Sequence, residues 1–89
     1  MVISMKDVQQ VFDQLISEKI KREEADRWAY DRVKAFDSNL LEFHPISNEE
    51  LIWEAISYLY GIDIQVSSGE YMHSIDGIKK NFEEKWKNI

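Results

Sequence analysis

The sequence predicts an all-α fold, in which residues 1–89 form a single domain of four helices packed as an antiparallel bundle. Apolar residues recur at three- and four-residue spacing in four separate segments, which is the pattern of amphipathic helices. The connections between these segments are short except before the last one, and only one short segment alternates like a strand. A chain of 89 residues is also too short to support a second core.

The first two helices are predicted from their apolar stripes. The first covers about residues 5–19, with Ser4 as its N-cap and Asp7 in its first turn, and the second covers about residues 22–37. The stripes consist of Val8, Val11, Phe12, Leu15 and Ile16 in the first helix, and of Ala25, Trp28, Ala29, Val33 and Phe36 in the second. We expect both stripes to face the core, with Trp28 inside it.

The outer face of the second helix carries opposite charges four residues apart. The pairs are Glu23 with Arg27, Arg22 with Asp26, and Arg27 with Asp31. Pairs at this spacing face each other on a helix surface and each stabilise it by about 0.2–0.5 kcal/mol. We therefore expect this helix to neutralise its own charge.

The third helix has the clearest local start signal. Ser47 and Glu50 have the spacing of a capping box, and Ile46 with Leu51 has that of a hydrophobic staple. The core stripe that follows is Leu51, Ile52, Ala55, Ile56 and Leu59. Gly61, followed by an apolar residue, is expected to end the helix.

The fourth helix is predicted to start after Ser74, which can cap it. Its apolar positions are Ile75, Ile78, Phe82 and Trp86, and we expect Trp86 to be buried. Residues 62–66 alternate between apolar and polar residues as a strand does, but no second strand is evident. We therefore expect an extended coil there, leading into a loop at residues 67–69.

Charge is distributed unevenly along the chain. The net charge is −6, yet residues 35–78 contain eight acidic residues and no Lys or Arg. This balance argues against binding to a phosphate backbone or to an anionic membrane, and it favours a basic protein partner. A solvated acidic surface that serves only solubility is the alternative.

Catalytic and metal-binding patterns are weak. With no cysteine and two histidines, the chain offers few metal ligands, and His44, His73 and Asp76 lack the spacing of a metal motif. No nucleophilic triad or phosphate-binding glycine loop is present. We predict a protein that is not an enzyme and has no cofactor or metal, although a small enzyme using Glu50, Glu54 or His73 is a third possibility. Since the N-terminus has no signal-peptide pattern, we expect a cytoplasmic location.

The outer face of the third helix is the candidate binding surface. A helical wheel places Trp53 and Tyr60 beside carboxylates, away from the core stripe, as in many interface hot spots. The alternative is that Trp53 packs against a neighbouring helix. The candidate partner-binding residues are Glu49, Glu50, Trp53, Glu54, Ser57, Tyr60, Asp63, Glu70 and Tyr71.

Four segments of the chain resemble a group of small acidic bacterial proteins. They are residues 22–29, Trp53–Ile56 with Leu59, Gly61–Asp63, and Tyr71–Ile75. The resemblance implies an immunity protein of polymorphic or contact-dependent toxin systems. The chain is also similar in size, acidity and helical character to the immunity proteins of colicin nucleases, but it lacks their paired tyrosines and proline-centred short helix.

These observations lead to a functional hypothesis. The protein is expected to bind and neutralise a basic toxin domain, a nuclease, through its acidic surface, without binding nucleic acid or membrane. The alternative is an acidic adaptor or regulatory protein that binds another basic protein. Exposed aromatic residues would also allow a homodimer.

Overall fold

Four helices form at the positions of the four apolar stripes. A computed structural model describes all 89 residues of the chain. The helices are α1 (Met5–Ile16), α2 (Arg22–Asp37), α3 (Glu49–Leu59) and α4 (Ile75–Lys85), and a short 3₁₀ turn at Ile46–Asn48 precedes α3. The strands are β1 (Val2–Ser4), β2 (Glu42–His44), β3 (Gln65–Ser67) and β4 (Glu70–Tyr71). None of the helices combines the length and apolar character needed to cross a membrane.

The strands make the fold mixed α/β, so the prediction of an all-α bundle is wrong. β1 pairs in parallel with β2, which brings Ile3 opposite Phe43. β3 and β4 form an antiparallel hairpin around the two residues Ser68 and Gly69. The segment predicted as an unpaired extended coil therefore continues into a strand that has its partner immediately after the turn.

Helix α4 runs antiparallel to both α1 and α3, as side-chain contacts show. At one end of the bundle, Gln9 of α1 donates a hydrogen bond to the carbonyl of Trp86, 2.8 Å away, just beyond α4. At the other end, Leu15 of α1 and Ile75 of α4 line the same cleft. Trp86 also donates from Nε1 to the carbonyl of Leu51, at the start of α3, over 3.0 Å.

The core is a single cluster of 17 buried apolar residues, drawn from all four helices, from β1 and β2, and from Ile62 and Trp86 just beyond the ends of α3 and α4. Trp86 belongs to it, as predicted, at 1% exposure. Trp28 does not, because it is only half-buried and lies beneath the guanidinium of Arg32, 4.2 Å from its ring centroid. Ile3 and Phe43 close the core from the paired strands, each with exposed or half-buried neighbours on either side.

Helix caps form at α1 and α4 as predicted, but not at α3. The Ser4 side chain accepts a hydrogen bond from the amide of Asp7, and that of Ser74 accepts one from the amide of Gly77. The capping box predicted at Ser47 is wrong, because Ser47 lies in the 3₁₀ turn and α3 begins two residues later without a side-chain cap. Ile46 is 75% exposed, so the predicted hydrophobic staple does not bury it.

The end of α3 predicts a measurable effect of backbone conformation. Gly61 has a φ of +84°, and the amide of Ile62 bonds to the carbonyl of Leu59, which is a type II turn with glycine where positive φ is required. A Cβ at Gly61 would also lie 3.0 Å from Cδ1 of Ile64. We expect Gly61→Ala to lower the free energy of unfolding by about 1–2 kcal/mol.

Urea denaturation followed by circular dichroism measures this effect. Gly69→Ala is the matched control, since Gly69 also has positive φ, at +77°, but a Cβ there would meet nothing within 4 Å. If Gly61→Ala lowers the free energy of unfolding no more than Gly69→Ala does, crowding by Ile64 contributes nothing to the destabilisation.

Candidate functional site

A cleft of about 570 Å³ lies at the end of the bundle where α1 ends and α2 and α4 begin. We call it the cationic cleft. It is lined by Leu15, Glu18, Ile20, Lys21, Arg22, Glu23, Tyr71 and Ile75. It is the only surface cleft of the structure lined by two cationic side chains.

The turn between α1 and α2 shapes one wall of the cleft. Beyond Ile16 the amide of Lys19 bonds to the carbonyl of Gln14 and the amide of Glu18 to that of Leu15, which is the pattern of a Schellman motif. Glu18 takes the left-handed conformation, with a φ of +59°, at the position that glycine usually occupies. The helix therefore ends three residues earlier than predicted. Lys19 and Lys21 are exposed in the turn that follows, and Lys21 lines the cleft.

Arg22 joins the start of α2 to the β3–β4 hairpin. Its guanidinium carbon lies 4.0 Å from the ring centroid of Tyr71, and its Nη1 donates to the carbonyl of His73 over 2.7 Å. A guanidinium has five N–H donors, so this contact leaves most of them available. The stacking and the hydrogen bond together fix the position of a positive charge that no carboxylate in the structure pairs with.

The charge pairs predicted along α2 do not form. The only ion pairs within 4.0 Å are His44 with Glu42 and Lys87 with Glu83. Asp26, the predicted partner of Arg22, instead accepts a hydrogen bond from the amide of Gly61 over 2.6 Å. The cations of α2 and of the turn before it are therefore not neutralised by direct pairing.

Arg32 is a second half-buried cation, and it lies away from the cationic cleft. Its Nε is buried without a hydrogen-bond partner, while Nη1 donates to the carbonyl of Trp28 over 3.1 Å. Burial lowers the pKa of Arg32 below its usual value, and the charges of Asp31 and Asp7 act in the opposite direction. This side chain covers Trp28 and lines none of the surface clefts of the structure.

The predicted binding residues on α3 do not form one continuous surface. Trp53 is half-buried, and its ring centroid is 4.3 Å from that of Phe36 on α2, the kind of contact that the alternative expected. Glu49 and Glu50 are exposed at the start of α3 and line a small cleft with Phe36, Phe43 and Trp53.

The remaining candidate residues lie elsewhere. Glu54 and Ser57 are exposed on another face of α3, in a cleft that includes Lys85. Tyr60 is 50% exposed and lies beside Tyr30, with 6.1 Å between ring centroids.

Three candidates belong to the connection between α3 and α4. Asp63 is half-buried, Glu70 is exposed on β4, and Tyr71 is half-buried beneath Arg22. Of the nine candidate residues only Tyr71 lines the cationic cleft. The three cations within Lys19–Arg22 are the sequence feature that could have indicated the cleft. The net charge of residues 1–34 does not reveal them, because the charges of that segment sum to zero.

No group of three or more His, Asp or Glu side chains converges to hold a metal ion. The ring centroid of His73, one of the residues considered as a metal ligand, lies 4.9 Å from that of Tyr58. The cationic cleft brings the carboxylates of Glu18 and Glu23 together with the cations of Lys21 and Arg22. Its arrangement suits anion binding beside an aromatic ring.

Comparison with known proteins identifies the family. The family model described as the YxzC DNA-binding protein matches residues 4–86. This range includes all four helices and every strand except the first two residues of β1. The chain therefore belongs to the YxzC DNA-binding protein family. No curated protein matches the chain significantly, and neither does any solved structure.

The family match overturns several predictions. The resemblance to immunity proteins is wrong, because the family found is described by DNA binding and not by toxin neutralisation. The predicted function, the basic toxin domain as partner and the exclusion of nucleic acid are wrong for the same reason. The physical error was to treat net charge as a property of every surface, whereas the cations of this chain are concentrated in its two terminal parts.

Proposed function

We propose that this member of the YxzC DNA-binding protein family binds DNA, with Lys21 and Arg22 at the cationic cleft, and Lys19 in the adjoining turn, contacting phosphates. The family match supports DNA as the ligand, and the geometry supports this location. The observation that carries the location is the guanidinium of Arg22, held by Tyr71 and by the carbonyl of His73 without a carboxylate partner. Positioned guanidinium groups bind phosphates well, because their donors match phosphate oxygens in geometry.

A net charge of −6 is compatible with this proposal because part of the acidic surface lies far from the cationic cleft. Glu49 and Glu50 lie beside Phe36, and α2 between Arg22 and Phe36 is about 21 Å long at a rise of about 1.5 Å per residue. The Debye length at physiological ionic strength is about 8 Å, so these carboxylates repel DNA at the cleft only weakly.

Closer carboxylates are expected to limit the affinity. Glu18 and Glu23 line the cleft together with Lys21 and Arg22. Each places a negative charge near the position proposed for phosphate, which opposes the attraction. We therefore expect weak DNA binding that is strongest at low salt, and no catalytic step; the cytoplasm is the location we propose for it.

Lys21→Ala tests the location of the phosphate contact. Lys21 is exposed at the cleft, and its removal leaves the Arg22 contacts intact. We expect weaker binding to all DNA sequences, with the slope of log K against log salt reduced by about 0.7–0.9. Fluorescence anisotropy with a labelled oligonucleotide at several salt concentrations measures both quantities.

Lys34→Ala is the matched control, because it makes the same charge change on an exposed lysine near the other end of α2. It should leave the affinity almost unchanged. Equal effects of the two substitutions would mean that DNA responds to net charge alone, and would contradict the proposed site. Absence of DNA binding by the unmodified protein at low salt would overturn the proposed function itself.

A further inference from the structure

We infer that the cationic cleft accepts an unpaired nucleotide, and that the DNA bound there is single-stranded. This inference rests on the proposed function, and it adds the kind of DNA and the group that recognises it. Three features carry it: the recessed shape of the cleft, its apolar wall, and the stacked pair formed by Arg22 and Tyr71.

The cleft is concave and partly apolar. Leu15 forms its buried floor, and Ile20 and Ile75 are half-buried in its walls. Its volume of about 570 Å³ is within the range of about 300–1,000 Å³ found for small-molecule pockets, and so is large enough for a nucleotide.

A duplex does not match this shape. Its bases are stacked on one another, and their edges are read by a helix or a β-ribbon that projects into a major groove about 12 Å wide. The cleft is instead a depression, and its apolar walls would meet only the charged backbone of a duplex. A single strand exposes base faces, which such walls can cover.

Arg22 and Tyr71 cover one face of each other, so a base can stack on the opposite face of the guanidinium or of the ring. The guanidinium carbon lies 4.0 Å from the centroid of the ring, and both side chains line the cleft. The hydrogen bond from Arg22 to the carbonyl of His73 restricts the guanidinium before any ligand arrives. Bases stack on aromatic rings and on guanidinium planes in proteins that bind single strands, while nearby lysines follow the backbone.

The first test compares two forms of DNA by anisotropy at low salt. The probes are a labelled oligothymidylate of about 12 nucleotides and a duplex of the same length, which exceed the smallest site sizes known for single-strand binding. We expect the single strand to bind about tenfold more tightly, since stacking of one base raises affinity by about fivefold to about 150-fold. Binding of the duplex as tight as that of the single strand would overturn the inference while leaving DNA binding in place.

The second test changes the aromatic ring. Tyr71→Leu should weaken oligothymidylate binding about tenfold, whereas Tyr71→Phe should retain it because the ring remains. Tyr60→Leu is the matched control, since Tyr60 is another partly exposed tyrosine but lies outside the cleft. Equal affinities for Tyr71→Leu and Tyr60→Leu, with both proteins folded by circular dichroism, would overturn the inference.

A third measurement needs no substitution, so it stays informative even if Tyr71→Leu does not fold. Oligothymidylate containing 5-iodouracil is irradiated with the unmodified protein, and the cross-linked peptide is identified by mass spectrometry. A cross-link at Tyr71 supports the inference, and cross-links only outside the cleft overturn it. Failure of both DNA probes to bind would instead reject the proposed function.

Discussion

Trp86→Ala is expected to lower the free energy of unfolding by about 3–5 kcal/mol, the range for loss of a buried large aromatic side chain. Trp86 is 1% exposed, and its ring centroid lies 5.1 Å from that of Phe12. Its indole nitrogen donates a hydrogen bond to the carbonyl of Leu51. A domain of this length is stabilised by only about 4–13 kcal/mol in total, so the substitution removes a large part of that stability.

Chemical denaturation followed by circular dichroism measures the loss. Trp86→Phe is the informative control, because it retains a ring but removes the hydrogen bond to Leu51, and we expect a loss of about 1–2 kcal/mol from it. If Trp86→Ala lowers the free energy of unfolding less than Trp86→Phe does, the ring contributes no packing energy.

Phe12→Ala is expected to have an effect of similar size, about 3–5 kcal/mol. Phe12 is completely buried, and its ring stacks on those of Phe82 and Trp86, with centroids 5.0 and 5.1 Å away. Removing it leaves a cavity where α1 meets α4, and the two neighbouring rings lose their shared contact.

The matched control for Phe12 is Phe36→Ala. Phe36 is 41% exposed, so we expect Phe36→Ala to lower the free energy of unfolding clearly less than Phe12→Ala does. The double variant of Phe12 and Phe82 tests the stacking itself, since contacting aromatic residues should show a coupling of about 0.5–1.5 kcal/mol. Strict additivity in thermal or urea unfolding would contradict direct stacking.

The helices could be predicted because their signals are local. Ser4 and Ser74 cap the helices that follow them, and the stripes of α1 and α4 supply much of the core. The start of α3 shows the limit of this reasoning. Ser47 and Glu50 have the spacing of a capping box, but a 3₁₀ turn places the first residue of α3 at Glu49.

The strands escaped prediction for two different reasons. β1 and β2 are three residues each, and Ile3 meets Phe43 only after α1 and α2 have folded back on each other, so neither strand has a local signal. The β3–β4 hairpin did have one: Ser68–Gly69 is a two-residue turn with glycine at positive φ. The sequence predicts only a loop there, because β4 is two residues long and shows no strand pattern of its own.

The candidate site was missed because charge was summed along the chain. Residues 1–34 are neutral by count, but Arg22 is directed to Tyr71 and His73 rather than to Asp26. Tyr71 was identified as a binding residue, yet its neighbour across the cleft comes from a helix that begins 49 residues earlier in the sequence. Pairing of this kind depends on tertiary structure, which spacing does not reveal.

The pairing of β1 with β2 also has a kinetic consequence. Residues 3 and 43 are adjacent in a parallel register, so their contact closes a loop that contains α1 and α2. Closure of a long loop is entropically unfavourable until other contacts have shortened it. We expect the helices to associate before β1 joins β2, so that weakening this pairing speeds unfolding and leaves the folding rate nearly unchanged.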